Sequence, residues 1–493
     1  MSRVIAATSI LLMWLLVMTV SVQAADPDLD WHELYGDSLR DIGTWVETSS
    51  TYGYVACGFE DFEGSENEDA FLMRLDEYGD TMWVKSYGDS LEDHFMSLKE
   101  TSDGGYILAG FTERVPYNMD AYLVRTDAAG DTLWTSNFDY GRDEILYRVL
   151  QTPDGGFIAA GFTSSFGSST STDILAMKVD VDGNEKWMDY YMGPGHNRAY
   201  DMCEADDGDY VITGFTDVGA QRSDMILLKI AEYDGDSLWA QVYGDTSLEV
   251  GRGIRTTPDG GFIVAGYKRD YSYDWSRGQL LRTDEGGDTL WTREYEAGGY
   301  MFLHGLEIAA DNGFICVGSN DTSSTGDSDF YFLKTDTGGD VQWTKMIGKG
   351  ERESASCVTI ADDLGYVAIG YSRVLPATDY NIYIMKLEGD DAGVAAEEEE
   401  AAPGLIALEG ASPFTRELTV RYEIPAAAQV ALAVYDISGR HVATLAEGRK
   451  GAGSYRAVWD LTNARGVRLP SGVYFIRCAA EGRSSTVKAL VLR

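Results

Sequence analysis

Along most of the chain, apolar residues come in short runs of strand length separated by polar, glycine-rich clusters, and residues 144–192 show this most cleanly. Ile145 to Thr152 reads as a strand ending at Pro153-Asp154-Gly155-Gly156, a tight turn whose glycines accept the positive φ of a hairpin. Phe157 to Phe162 is a second strand. A polar loop leads to a third, Asp173 to Asp180, and after the turn at Asp182-Gly183-Asn184 a fourth carries Trp187. Four such strands make a small antiparallel meander, which cannot bury both of its faces alone.

The meander recurs. Trp31, Trp83, Trp134, Trp187, Trp239, Trp291 and Trp343 are spaced by 52, 51, 53, 52, 52 and 52 residues. A second series keeps the same beat: Gly58-Phe59, Gly110-Phe111, Gly161-Phe162, Gly214-Phe215, Gly266-Tyr267, Gly318-Ser319 and Gly370-Tyr371. Self-similarity at such a period marks a repeat architecture, and radial stacking of the sheets buries the faces that each leaves open. The ends of the array favour a closed ring over a linear solenoid. Asp30-Trp31-His32-Glu33-Leu34-Tyr35-Gly36 matches the fourth strand of later units, whereas the last unit has three strands, including Asn381 to Leu387, and no tryptophan strand after them. One strand completing the other leaves no open edge. The expectation is a seven-bladed β-propeller over residues 25–388, closed by its N-terminal strand.

Residues 389–404 lose all alternation and carry the acidic run Glu397 to Glu400, which reads as a solvated linker. Beyond it, Glu417 to Ile424, Val430 to Tyr435, Tyr455 to Trp459 and Gly472 to Cys478 read as half-buried strands of an immunoglobulin-like β-sandwich over residues 405–493. Here Ser412-Pro413-Phe414, Val434-Tyr435-Asp436-Ile437-Ser438-Gly439-Arg440, Trp459-Asp460, Ser471-Gly472-Val473-Tyr474-Phe475 and the terminal Lys488 to Arg493 resemble the type A C-terminal sorting domain of the type IX secretion system, related to the immunoglobulin-like domain of flagellar hook-capping proteins. That resemblance implies passage through the outer membrane of a Gram-negative-type bacterium, with the secretion machinery as a partner. The repeats themselves resemble the Asp-Gly-Gly-Tyr and Gly-Asp-Thr-Leu-Trp propeller repeats of such secreted proteins.

The N-terminus agrees with export. Arg3, the apolar run from Ile10 to Val22 and the small-residue site at Val22-Gln23-Ala24 read as a signal peptide over residues 1–24, cleaved after Ala24. No later run is long enough for a transmembrane helix. Five cysteines without metal-ligand spacing read as buried thiols, at least one of them unpaired within the chain. The net charge of −41 excludes a nucleic-acid partner, because phosphate contacts need clustered Lys and Arg. The charge is uneven: residues 405–493 hold 12 basic against 7 acidic residues and the remainder 27 against 73.

Chemistry should appear where the repeat breaks, since a position repeated in every blade is structural. His32, His94, His196, His304 and His441 are scattered, and no HExxH or G-x-S-x-G motif is present. Asp69, Asp120, Asp173, Asp224 and Asp329 share one position, with Arg277 and Asn381 in the other two units. They read as caps that accept backbone N–H bonds at the start of the third strand rather than as a cation ring. Asp180 to Asn184 reads as a turn rather than a calcium loop, and the seven tryptophans as packing between blades.

The loops between second and third strands vary in length and content, as binding loops on a fixed scaffold do. The loop from Lys268 to Arg277 is the richest, and Tyr271, Tyr273, Trp275 and Arg277 are its candidate ligand-binding residues, because exposed aromatics and arginines anchor interfaces. No cofactor, metal or catalytic residue is expected. The sequence therefore describes an exported, surface-associated or secreted binding module or scaffold whose ligand is an extracellular glycan or protein. A secreted propeller hydrolase or lyase acting on polysaccharide is the other reading. Acidic and basic side chains converging on the central channel favour the enzyme, and aromatics lining the loop face favour the binder.

Overall fold

The computed structural model describes residues 27–36, 39–61, 67–88, 91–166, 171–193, 195–219, 222–270, 275–321, 327–348, 352–373, 380–390, 406–409, 418–424, 428–436, 441–462, 468, 472–480 and 483–491. The signal peptide, most of the linker, Tyr271, Tyr273 and the Ser412-Pro413-Phe414 motif lie outside them. The described residues form two compact units, 27–390 and 406–491, and contain no helix.

The first unit is a seven-bladed propeller. A lone strand β1 (Leu29–Tyr35) precedes blade 1, which consists of β2 (Asp41–Thr48), β3 (Tyr54–Asp61), β4 (Glu68–Leu75) and β5 (Thr81–Tyr87). Residues 93–138, 144–191, 197–243, 248–295 and 300–347 repeat that four-stranded antiparallel sheet, and a single parallel bridge between Ser276 and Tyr300 links the fifth and sixth blades. Blade 7 takes three strands from residues 353–387 and its fourth from β1, which runs antiparallel to Tyr380–Leu387 with Trp31 opposite Lys386 and Tyr35 opposite Ile382. Lys386 also reaches Asp30 at 2.9 Å, and the Glu388 N–H donates to Asp28 O at 3.0 Å.

Strand alternation explains why the blades stack. In β3, Val55 and Cys57 pack with Leu98 and Leu108 of blade 2, whereas Tyr54 and Ala56 pack with Val367 and Ile369 of blade 7. Both faces of the strand are therefore buried, and the run reads as continuously apolar. The same sharing continues between every neighbouring pair of blades, and the cluster joining blade 7 to blade 1 closes the ring.

Each outer strand is latched to the next blade by its tryptophan. Gly79, Gly130, Gly183, Gly235, Gly287 and Gly339 sit in third-to-fourth strand turns with positive φ, and a Cβ on any of them would fall 2.8–3.1 Å from the ring of Trp31, Trp83, Trp134, Trp187, Trp239 or Trp291. The rings also lean on aromatic residues at the start of that blade's second strand, as in Trp31 against Tyr54 at 5.8 Å and Trp134 against Phe157 at 5.9 Å. Trp343 leans on Tyr366 at 5.9 Å and donates its indole N–H to Asp390 at 2.7 Å, where the chain leaves the propeller. The tryptophans thus pack between blades, as their spacing suggests.

A second repeated device was not anticipated. Every third strand carries a basic residue, and six of the seven reach the aspartate of their own blade's first-to-second strand turn: Arg125 with Asp103, Lys178 with Asp154, Lys229 with Asp207, Arg282 with Asp259, Lys334 with Asp311 and Lys386 with Asp363. Blade 1 has Thr51 in the turn, and Arg74 donates to the carbonyls of Tyr54 and Leu75 instead, at 2.8 and 2.6 Å. The Lys334 side chain is fully buried, so its 2.8 Å partner Asp311 offsets a desolvation cost that an unpaired ammonium would carry in full.

The second unit is an immunoglobulin-like sandwich. Ile406–Glu409, Leu418–Ile424 and Gly453–Trp459 form one sheet, and His441–Lys450, Ala428–Asp436, Gly472–Ala480 and Arg483–Val491 form the other. Its own core contains Leu418, Val420, Leu432, Val434, Ile476 and Trp459, whose ring meets Tyr474 edge-on at 5.5 Å.

The ring makes the seam between blades 7 and 1 equivalent to the seams inside the array. Gly79→Ala, at that seam, and Gly183→Ala, within the array, are each expected to lower stability by about 2 kcal/mol or more, because both combine positive φ with a tryptophan in the way of the new methyl group. Denaturant unfolding measures this. Loss at Gly183 with no loss at Gly79 would show that the seam does not bear on folding.

Candidate functional site

The first strands of the seven blades line the central channel, and each carries a β-bulge at the same place. Pairing with the second strand skips one residue between Gly43 and Trp45, Phe95 and Ser97, Leu146 and Arg148, Ala199 and Asp201, Gly251 and Gly253, Leu303 and Gly305, and Ala355 and Cys357. A bulged residue has no partner across the ladder, and its side chain is re-aimed away from the regular pleat. The skipped residues are Thr44, Met96, Tyr147, Tyr200, Arg252, His304 and Ser356. Together with Trp45 they line one cavity of about 150 Å³.

The ring is uneven in chemistry. Tyr147 meets Tyr200 edge-on at 5.1 Å, and the Arg252 guanidinium lies 4.1 Å from the centre of the Tyr200 ring. His304 stands beside Arg252, and its Nδ1 lies 3.0 Å from Ala355 O. A carbonyl only accepts, so Nδ1 carries the proton and Nε2 keeps its lone pair. Burial, helped by the Arg252 charge, pushes the His304 pKa down to about 3, so the imidazole is neutral at pH 7. Across the ring, Thr44 donates to Phe95 O at 2.8 Å.

Other charges on the same strands are tied together. Arg148 lies 3.2 Å from Asp201, Arg255 binds Asp201 at 2.8 Å and Glu307 at 2.7 Å, and Lys99 reaches Glu47 at 3.1 Å. Asp201 also accepts the backbone N–H groups of Met202 and Ile254, at 2.8 and 3.0 Å. Acidic and basic side chains thus do converge on the channel, but as a bonded network across blades 3 to 6.

The sequence-derived candidates lie in blade 5. Trp275 begins the strand Trp275–Thr283, and the Arg277 guanidinium lies 3.9 Å from the centre of its ring. Arg277 is also ion-paired to Glu294 at 2.6 Å and to Glu296 at 2.5 Å. Lys268 shares Glu294 at 3.1 Å and reaches Asp245 at 2.7 Å. The structure brings Trp275 and Arg277 together, and Tyr271 and Tyr273 fall outside the described residues.

The repeated aspartates pack against the end of their own outer strand. A Cβ on Gly88, Gly244 or Gly348 would lie under 3 Å from Asp69, Asp224 or Asp329 respectively. Burial pushes the carboxyls of Asp120, Asp173 and Asp329 up from the usual range. Asp180 accepts the N–H groups of Asp182 and Asn184 at 3.0 and 2.9 Å, which makes that segment a side-chain-capped turn. All five cysteines are buried and free. Among the described residues no group of three or more His, Cys, Asp or Glu side chains is placed to hold a metal ion, and no helix is long and apolar enough to cross a membrane.

Fold and channel together define a propeller followed by an immunoglobulin-like domain. Residues 411–484 match the FlgD Ig-like domain family. No curated protein matches the sequence. Among solved structures, the chain is similar to PorZ, an essential surface component of the type IX secretion system of Porphyromonas gingivalis, with 11% identity, a TM-score of 0.37 and coverage of 88% of this chain and 65% of PorZ. It thus spans less than two thirds of PorZ. A protein of unknown function from Dyadobacter fermentans gives 12% identity, a TM-score of 0.43 and coverage of 73% and 98%. The polysaccharide lyase Uly1 gives 11% identity, a TM-score of 0.47 and coverage of 73% and 99%.

On the first strand of blade 5, Glu249 is buried, its Oε2 has no hydrogen-bond partner among the described residues, and Lys268 stands 3.5 Å from its Oε1. Burial first, then the hydrogen bond and charge of Asp245, raise the Glu249 pKa from 4.5 to about 7. The folded state therefore holds this proton longer than the unfolded chain does. Its contribution is fully present below pH 4.5 and is lost as pH rises through about 7. Glu249→Gln, which resembles the protonated form, is expected to leave stability nearly unchanged at pH 4.5 and to raise it by about 1–3 kcal/mol at pH 8. Paired denaturant titrations at the two pH values measure this, and an equal effect at both would refute the assignment.

Proposed function

We propose that the protein is an exported binding module: a propeller over residues 25–388, presented at the cell surface or in the medium, with residues 405–493 directing type IX secretion after removal of residues 1–24. The observation that carries the reading is a contrast within the repeat. Tryptophan latches and ion pairs between a buried cation and a turn aspartate recur from blade to blade, whereas the channel bulge residues and the second-to-third strand loops differ. A scaffold that repeats its stabilising contacts and diversifies one channel ring and one set of loops is suited to recognition. The ligand is an extracellular glycan or protein, and the loop around Tyr271, Tyr273, Trp275 and Arg277 is the proposed contact for it.

A secreted polysaccharide hydrolase or lyase is the second reading, favoured by the convergence of Tyr147, Tyr200, Arg252 and His304 on one cavity. Against it, Asp201 and Glu307 are occupied by Arg148 and Arg255. Release of new sugar ends from polysaccharide by the purified protein, abolished by His304→Ala, would establish the enzyme.

Two experiments test the binding reading. Deleting residues 405–493 is expected to leave a folded propeller in the periplasm of a host with type IX secretion, since a unit with its own core folds without its neighbour. Unchanged delivery to the surface or medium would refute the sorting role. Screening the purified protein on a glycan and envelope-protein array should yield a ligand whose affinity falls roughly tenfold or more in Trp275→Ala and Tyr273→Ala. Retained affinity in both variants would move the contact off this loop.

A further inference from the structure

In the channel ring, Thr44 and the Nδ1 of His304 are bonded to backbone carbonyls, and several other polar groups that line the cavity are left without protein partners. Among the described residues, the hydroxyls of Tyr147, Tyr200 and Ser356 and the Nε2 of His304 have no hydrogen-bond partner, and no carboxylate lies within ion-pairing distance of Arg252, although all five residues line the same cavity. Arg198, two residues before Tyr200, is a second guanidinium without a carboxylate, lying 4.2 Å from the centre of the Phe162 ring and bonded to Thr172. Arg252 lines the cavity, so its unpaired guanidinium faces a space that a ligand can enter. Lys99, Arg148 and Arg255, on neighbouring first strands, each reach a carboxylate.

We propose that this cavity is a binding site for a carboxylate carried on a single six-membered ring, a hexuronate residue or an aromatic acid, with Arg252 as the group that receives the carboxylate. The inference rests on the reading of the propeller as a binding module but assigns a site separate from the blade 5 loop. The size follows from the volume: about 150 Å³ is what one six-membered ring fills. The charge follows from the guanidinium, whose planar fork matches a carboxylate in two parallel hydrogen bonds and is already held over Tyr200, 4.1 Å from its centre. Tyr147 supplies aromatic surface for the ring. The neutral His304 offers an acceptor, and Ser356, Tyr147 and Tyr200 offer hydroxyls that donate or accept, which suits the remaining hydroxyls of a sugar acid. Seven bulges fix these groups on separate strands of a closed ring, so little ordering is needed when the ligand enters.

Ligand-observed NMR titration of the full mature chain at pH 7 tests this with glucuronate, benzoate and glucose as probes. Saturable binding of glucuronate or benzoate, with glucose at least tenfold weaker, is expected, and which acid binds tells the two sources apart. Arg252→Met should weaken the acid at least tenfold, and Arg252→Lys and Tyr200→Phe by a smaller factor. Thermal melting of each variant confirms that it is folded. Binding of neither acid, or unchanged binding in a folded Arg252→Met protein, would overturn the assignment. An array ligand held equally well by wild type and Arg252→Met, with neither acid bound, would sink the channel site and leave the binding-module reading standing. Failure of the array and of both acids would overturn the two together.

Discussion

The propeller depends on one contact repeated around the ring, the tryptophan of six of the seven outer strands lying on a turn glycine of the next blade. The glycine has two reasons to be there. Its positive φ closes the third-to-fourth strand turn, and its missing Cβ opens the space that the indole fills. At five of these six contacts a tyrosine farther along the same outer strand donates its hydroxyl to that glycine's carbonyl, as Tyr295 does to Gly339 at 2.7 Å, and at Gly183 the hydroxyl is that of Ser136. Ring and hydroxyl together hold one turn in place, and with it the spacing and tilt of adjacent sheets. Because the blades form a ring, an error in that tilt would accumulate around it, so a uniform latch is a geometric requirement as well as a source of stability. Trp31 supplies the latch between blades 7 and 1 from a strand some 350 residues before its pairing partner, where Trp31 sits opposite Lys386.

Such a latch leaves the inner strands free of that duty. Apart from Trp45, the residues flanking the bulges are buried, as Leu146, Ala199 and Leu303 are, while the bulged residue itself is half-buried and lines the channel. Its side chain contributes little to the sheet stacking that keeps the ring closed. Tyrosine, arginine, histidine or serine can therefore occupy the position without a change in the surrounding core. Ion pairs between a buried cation and an exposed aspartate, such as Lys334 with Asp311, sit at the opposite ends of the first strands from where these begin, and anchor the hairpin turns.

Much of the architecture was legible because its devices are local. The tryptophans, the glycines and the spare first strand are read directly along the chain, and their count and the ring closure follow. The series Arg74, Arg125, Lys178, Lys229, Arg282, Lys334 and Lys386 was equally open to reading: a basic residue recurring in an otherwise apolar strand, 22 to 24 residues after a turn aspartate in six of seven blades, signals a buried cation paired to the turn. The channel site was not legible in the same way. A bulge is a slip between two strands, visible only when partners are known, and Tyr147, Tyr200, Arg252 and His304 look like ordinary members of their strands. Scattered histidines told nothing until His304 was placed beside Arg252. The blade 5 loop drew attention because aromatics and arginines cluster there in sequence, and the structure shows Arg277 already engaged by Trp275, Glu294 and Glu296.

The two sets of arginines make the physical distinction between structure and recognition concrete. Arg255 gains two carboxylates and a backbone carbonyl, and removing any of these would strand charge inside the ring. Arg252, three residues earlier on the same strand, is stacked on Tyr200 and opens onto a cavity bordered by hydroxyls and a neutral imidazole. An arginine held by stacking keeps its hydrogen-bonding edge available, whereas one held by carboxylates does not. Placing both on one strand lets the deeper pair fix the backbone on which the shallower one is presented. Recognition at the channel then draws on a rigidity supplied by charges that the ligand never meets.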